Sequence, residues 1–185
     1  MADANTEVTL TAMQDAIAKA VGAAFPAFQT VEFDRDDEDQ QLPCPACLME
    51  FTEAQSAPED DAGTGQWPAH ARFEARIVLA ARKTARAEVK RAAVSFAAWL
   101  NQRRFHGIYT DPCQVIACEP DEFAPDLERF RVWRVEWIMP AMFGHNVWLP
   151  DGTKTPGEPY YSQAPDIGVP HEKDYQPLLS VEVAP

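Results

Sequence analysis

The sequence predicts an α+β fold: an antiparallel or mixed β-sheet of four to five strands with two α-helices packed on one face, plus an extended C-terminal arm. Three observations predict it. Two stretches repeat their apolar residues at helical spacing, several shorter ones alternate or run continuously apolar in the manner of strands, and residues 144–185 turn proline- and aromatic-rich. A chain of 185 residues suits one domain with a sizeable core plus an appendage, read here as a domain over 1–143 and an arm over 144–185.

The first helix is expected from Leu10 to Phe25, where Leu10, Met13, Ile17, Val21 and Ala24 share one face. Thr11-Ala12-Met13-Gln14 fits a capping box at its start, and Pro26 stops it. "VEFDRDDEDQQ" then passes from a short extended piece into an acidic loop, with six acids between positions 32 and 39. "LPCPACLMEF" reads as a strand buried on both sides: Cys44, Ala46 and Leu48 face one way, Cys47, Met49 and Phe51 the other. "TEAQSAPEDDAGTGQWPA" reads as a long acidic loop.

From Ala71 to Ala81 the alternation is clean. Ala71, Phe73, Ala75, Ile77 and Leu79 form the buried side of a strand, and Arg72, Glu74 and Arg76 its wet side. A second helix follows over about Thr84 to Gln102, with Ala85, Val89, Ala92, Phe96, Trp99 and Leu100 inward. "CQVIACEP" and "FRVWRVEWIM" close the sheet. In the latter the apolar parity changes between Val132 and Trp133, which requires a bulge or a strand covered on both faces.

The formal net charge of −13 argues against a general nucleic-acid binder, because phosphate contacts need Lys and Arg. The charge is also unevenly placed. Residues 1–70 hold 2 basic and 14 acidic side chains, residues 71–104 hold 9 and 2, and residues 105–185 hold 5 and 13. A basic middle between acidic flanks suits an acidic partner such as a second copy of the chain, or else a solvated mosaic. Arg86, Lys90 and Arg91 crowd the N-terminal half of the second helix, with Lys83 just before it, where the helix dipole disfavours cations. An acidic partner explains them better than helix stability does, although Glu88 gives some relief.

The opening "MADANTEV" has neither the basic nor the apolar part of a secretory signal, so synthesis in the cytosol with reduced thiols is expected. No apolar run reaches the length of a membrane-spanning helix. The four cysteines form two local pairs, Cys44 with Cys47 and Cys113 with Cys118, each of opposite strand parity. Buried structural thiols are the expected role. A small metal-binding or redox protein stays as an alternative, since neighbouring strands can bring together thiols that diverge locally. His70, His106, His145 and His171 fall in turn-like or tail contexts with no ligand spacing. No phosphate loop, nucleophile elbow or zinc-protease motif is present, so no catalytic residue, metal ligand or cofactor is nominated and a non-enzymatic role is expected.

In its order of elements, carried by "LTAMQDAIAKAVGAAFP", "LPCPACLMEF", "ARFEARIVLAARK", "AEVKRAAVSFAAWLN" and "FRVWRVEWIMP", the chain resembles the bacteriophage tail-terminator family. These are the lambda-like tail-completion proteins, found also in prophages and gene transfer agents. The resemblance leaves out the arm from Gly144 onward, and the thiols of the proline-led strand depart from it. It implies a homohexameric ring at the head-proximal end of the tail, assembled in the bacterial cytoplasm. Such a ring stops tube polymerisation and joins the tail to the head. Its partners would be the tail tube protein and a neck or connector protein, with no membrane involved. An acidic chain suits a channel through which DNA passes without specific binding. A neck or head–tail connector (stopper) protein is the neighbouring alternative.

A closed ring requires heterologous contacts, in which one patch meets a different patch on the next copy. Arg82, Arg86 and Lys90 facing Asp36, Asp37, Glu38 and Asp39 of a neighbour would supply one. Trp148, Tyr160 and Tyr161 are the residues expected to pack the arm along its own domain or a neighbour's.

Overall fold

The computed structural model describes residues 7–35, 42–121, 129–147, 160–161, 173 and 175–177, and the chain divides into two compact units, Met1–Val147 and Trp148–Pro185. In the first unit, helix α1 spans Leu10–Ala24 and helix α2 spans Ala85–Leu100. The strands are β1 (Thr30–Phe33), β2 (Ala46–Ser56), β3 (Trp67–Ala80), β4 (Gln114–Pro120) and β5 (Phe130–Phe143). They form one sheet in the order β1-β2-β3-β5-β4. β1 runs parallel to β2 and the other pairs are antiparallel, so the fold is α+β with a mixed sheet.

Helix α1 starts two residues earlier than a capping box at Thr11 requires. The Thr9 hydroxyl accepts the Ala12 N–H at 3.2 Å, which satisfies one of the donors left free by the first turn. Leu10 packs against the core, so the helix must already have begun there, and Thr11 falls inside it. The inward stripe is Met13, Ile17 and Val21; Ala24 is exposed, and Phe25 takes over the packing with its ring 5.6 Å from Phe96 and 5.2 Å from Trp99.

Both helices cover the same face of the sheet. Met13, Ile17, Val21, Val89, Phe96 and Leu100 meet Phe73, Ile77, Val135, Trp137 and Met139 in one core. Phe73 and Trp137 stack at its centre, with centroids 5.6 Å apart and planes 16° from parallel. Burial of each such side chain contributes about 1.5–3 kcal/mol relative to exposure, which outweighs the modest helix propensities of Val and Phe. In α2, Ala85 and Ala93 are the fully buried alanines, and Ala92 lies only partly buried beside Ala93.

The connection between β2 and β3 is shorter than its composition suggests. β2 continues through Ser56, a single 3₁₀ turn covers Pro58–Asp60, and β3 begins at Trp67. A bulge between Phe51 and Glu53 absorbs Thr52, so the ladder runs on from Glu53↔Arg72 to Ser56↔Ala69. Polar side chains do not prevent this, because the ladder is made by backbone groups and these side chains lie on a half-solvated strand.

"LPCPACLMEF" becomes a strand only from Ala46. Cys44 and Pro45 form a bend with a cis peptide bond between them, and the strand then places Cys47 in the main core and Ala46 on the helix-free face. Strand β5 carries no bulge. Trp133, Val135, Trp137 and Met139 face the helices, while Val132 joins Ala46 and Val78 in a small apolar cluster on the other face, flanked by Leu42, Cys44, Leu48 and Phe130. Both faces are covered at that end, which accounts for the mixed parity.

The register of β4 corrects one expectation. Its pairing with β5 slips between Val115 and Ala117, so Val115 and Cys118 both turn towards the helices. Cys113, just before the strand, is fully buried in the same core, so Cys113 and Cys118 do not diverge. In the second unit, β6 (Tyr160–Tyr161) pairs antiparallel with β7 (Gln176–Pro177). Trp148, placed with the arm, lies outside the described residues, as do Asp36, Asp37, Glu38 and Asp39 of the acidic loop.

Candidate functional site

The strand register lays charges in rows across the helix-free face. Glu50 stands opposite Glu74 and Glu74 opposite Glu136, so three carboxylates line up across β2, β3 and β5. In the next row Arg76 faces Arg134, and Arg134 faces Glu119. On the other side of the carboxylates, Glu53 faces Arg72. Like charges placed directly opposite each other are destabilising, and the fold resolves this along the diagonals.

Arg76 donates to Glu50 at 2.9 Å, to Glu74 at 2.8 Å and to Asp121 at 2.9 Å. Arg134 donates to Glu74 at 3.2 Å and to Glu119 at 2.5 Å, and lies 3.9 Å from Glu136. Arg72 reaches Glu136 at 3.1 Å and Glu53 at 3.2 Å. Three guanidiniums thus hold six carboxylates in one connected lattice, with a net charge of −3.

This is the side of β3 that its alternation predicts to be wet, and the side chains of Arg72 and Arg76 are 37% and 35% exposed, but Glu74 between them is not. Glu74 is only 8% exposed, because its flanking arginines lie over it. Burial by itself lowers the Arg76 pKa, but hydrogen bonds to Glu50 and Asp121 and the nearby Glu74 charge raise it overall. For Arg134 the hydrogen bond to Glu119 leads, with Glu74 and Glu136 adding to it, and the pKa is again raised. Glu50, Glu53 and Glu119 form the accessible rim, with side chains 48%, 55% and 50% exposed.

The opposite charge collects on the helix side, at the start of α2. Ala81, Arg82, Lys83, Arg86 and Arg131 line an open concavity of about 450 Å³. Arg82 pairs within its own chain, with Glu88. Arg82 and then Thr84 hydrogen-bond the Glu88 carboxyl and hold it below the ordinary carboxylate range. Among the described residues Lys83, Arg86 and Lys90 make no ion pair. Lys90 lies with its ammonium 5.7 Å above the Trp133 ring, a contact worth about 0.5–1 kcal/mol at an exposed site. The other predicted partners of this basic end, Asp36 to Asp39, are not described, whereas the lattice acids were missed in the sequence. They come from positions 50, 53, 74, 119, 121 and 136, and only strand register brings them together.

The cysteines and histidines assemble no site among the described residues. No group of three or more His, Cys, Asp or Glu side chains stands ready to hold a metal there. All four thiols are free, and burial pushes Cys47 and Cys113 up to about 12, which leaves them protonated at neutral pH. His70 lies within β3, where its Nε2 is 3.0 Å from Asp60, and not in a turn. A second concavity of about 380 Å³ opens beside Asp60, Arg104, Tyr109 and Asp111. Its charges are neutralised locally, since Arg104 bonds the Thr110 carbonyl and Asp111. No helix of the described residues is long and apolar enough to cross a membrane. No protein-family model and no curated protein matches this chain.

Proposed function

We propose that the chain is a structural subunit of a phage-like tail: a terminator that forms a ring on the head-proximal end of the tube, stops its growth and joins it to the head connector. The observation that carries this reading is the element order, α1, β1, β2, β3, α2, β4, β5, in which a capped helix leads into a mixed sheet and a basic second helix. It is the order on which the resemblance to tail terminators rests. Oppositely charged surfaces on two faces of one unit support it further, because ring closure needs unlike patches. On this reading the protein is not an enzyme; its partners are its own copies, the tube protein and a neck protein, and DNA passes through the ring without specific contacts.

Electron microscopy of lysates from the parent phage or prophage with this gene disrupted tests the role. Overlong tubes beside separate full heads are the expected result. Tails of normal length that fail to join heads would place the chain in the neck as a connector, and intact infectious particles would overturn both assignments.

A further inference from the structure

The lattice face and the basic end of α2 are complementary in charge and lie on different sides of the same unit. α2 packs on the helix-covered face with Val89, Phe96 and Leu100, while Arg76, Arg134 and their carboxylates occupy the helix-free face. A twofold axis joins base to acid only where both patches fall within one interface, and patches on different sides of the unit do not. A head-to-tail arrangement joins them without that requirement, and repeating it gives a ring or a filament.

We infer that the basic end of α2, centred on Lys83 and Arg86, docks on the Glu53–Glu119 rim of the helix-free sheet face of a second copy. The inference rests on the ring reading only for its biological setting. Its physical basis is the pairing of cations that make no ion pair among the described residues with a lattice whose carboxylates outnumber its guanidiniums six to three. Among the described residues no helix or strand packs on that face, and its rim acids are about half exposed. Lys83 and Arg86 precede and open a helix whose dipole repels them, so they cost the monomer stability, and a partner's carboxylates would reverse that cost. The concavity beside them gives such carboxylates a place to seat.

Charge reversal on each side, followed by mixing, tests the pairing. Lys83→Glu with Arg86→Glu turns the basic end acidic, and it suits the helix dipole, so loss of association cannot be put down to a weakened helix. Glu53→Lys with Glu119→Lys turns the rim basic, and Glu53→Gln with Glu119→Gln gives a gentler version should the reversal disturb the lattice. Sedimentation of the full chain should show concentration-dependent association at low salt that falls off towards 1 M, where the screening length is only about 3 Å. Either reversed chain alone should associate at least about tenfold more weakly. An equimolar mixture of the two should recover association in alternating order, since each interface then again joins acid to base.

A wild-type chain that stays monomeric at every salt concentration would overturn the inference. So would reversed chains that associate as the wild type does, or a mixture that recovers nothing. Complementing the disrupted phage separates this from the role in the tail. Reversed chains that cap tubes as well as wild type would remove the docking surfaces and leave the terminator. Alternating assembly by a chain that caps no tube would keep the surfaces and remove the terminator.

Discussion

Glu74 and Glu136 stand directly opposite each other on β3 and β5, and Arg134 spans them, 3.2 Å from the first and 3.9 Å from the second. The pair is tolerable only because arginines occupy the adjacent rows, so each carboxylate depends on cations one step along the strand rather than on its direct neighbour. Removing Glu74 should therefore expose the repulsion between Arg76 and Arg134, which face each other in the register. Glu74→Ala is expected to destabilise the fold by about 2–4 kcal/mol, somewhat below a fully buried pair because its arginines are partly solvated. Glu119→Ala, at the exposed rim, should cost under about 1 kcal/mol. Urea unfolding of the two variants checks the contrast; equal losses would mean that the lattice is not organised around Glu74.

The cap of α1 makes a second contrast between near neighbours. Thr9→Ala should cost about 1 kcal/mol, because the Ala12 N–H loses its acceptor. Thr11→Ala should change stability by only a few tenths, since alanine is the better helix former. Thermal unfolding of the pair decides which threonine starts the helix.

Alkaline pH should unfold the protein partly through its buried thiols. Below the ordinary thiol value of 9.0, Cys47 is protonated in both states and its burial is fully compatible with the fold. Between 9.0 and about 12 the unfolded chain releases that proton while the folded chain keeps it, so stability falls as pH rises. The slope is about 1.4 kcal/mol per pH unit for one group. Cys47→Ala should flatten the alkaline limb of a stability-versus-pH curve while lowering the neutral plateau; an unchanged limb would mean that the thiol is not the titrating group.

Phe73 is the aromatic hinge of the core, with Trp137, Phe51 and Phe33 at centroid distances of 5.6, 5.5 and 6.1 Å. Phe73→Ala should cost about 3–5 kcal/mol, the range for a buried phenylalanine whose site cannot collapse. Tryptophan fluorescence followed through denaturant reads both the stability loss and the changed surroundings of Trp137.

Elements with a strong period were legible in the sequence. Met13, Ile17 and Val21 marked α1, Val89, Phe96 and Leu100 marked α2, and Phe73, Ala75 and Ile77 marked the inner face of β3. What depended on neighbouring strands was not. The bulge in β4 that turns Cys118 inward leaves no trace in "CQVIAC", because parity counts residues and a bulge inserts one. The parallel pairing of β1 with β2 had no local signal either. The charged lattice was hidden most completely: of its acids only Glu74 was singled out, as one wet position of a strand, and the visible run at 36–39 drew the argument for complementarity instead.

The two margins of the sheet carry a further consequence. β1 is four residues long, and β4 is kinked at Ile116, whose side chain is 49% exposed. Among the described residues neither margin offers a long flat row of free amide and carbonyl groups to a strand from outside. Copies of the protein are thereby steered away from zipping backbone to backbone, a union that is indifferent to sequence and slow to undo. In the ring proposed above they would meet through side chains, so that a misplaced neighbour could be released before the ring closes.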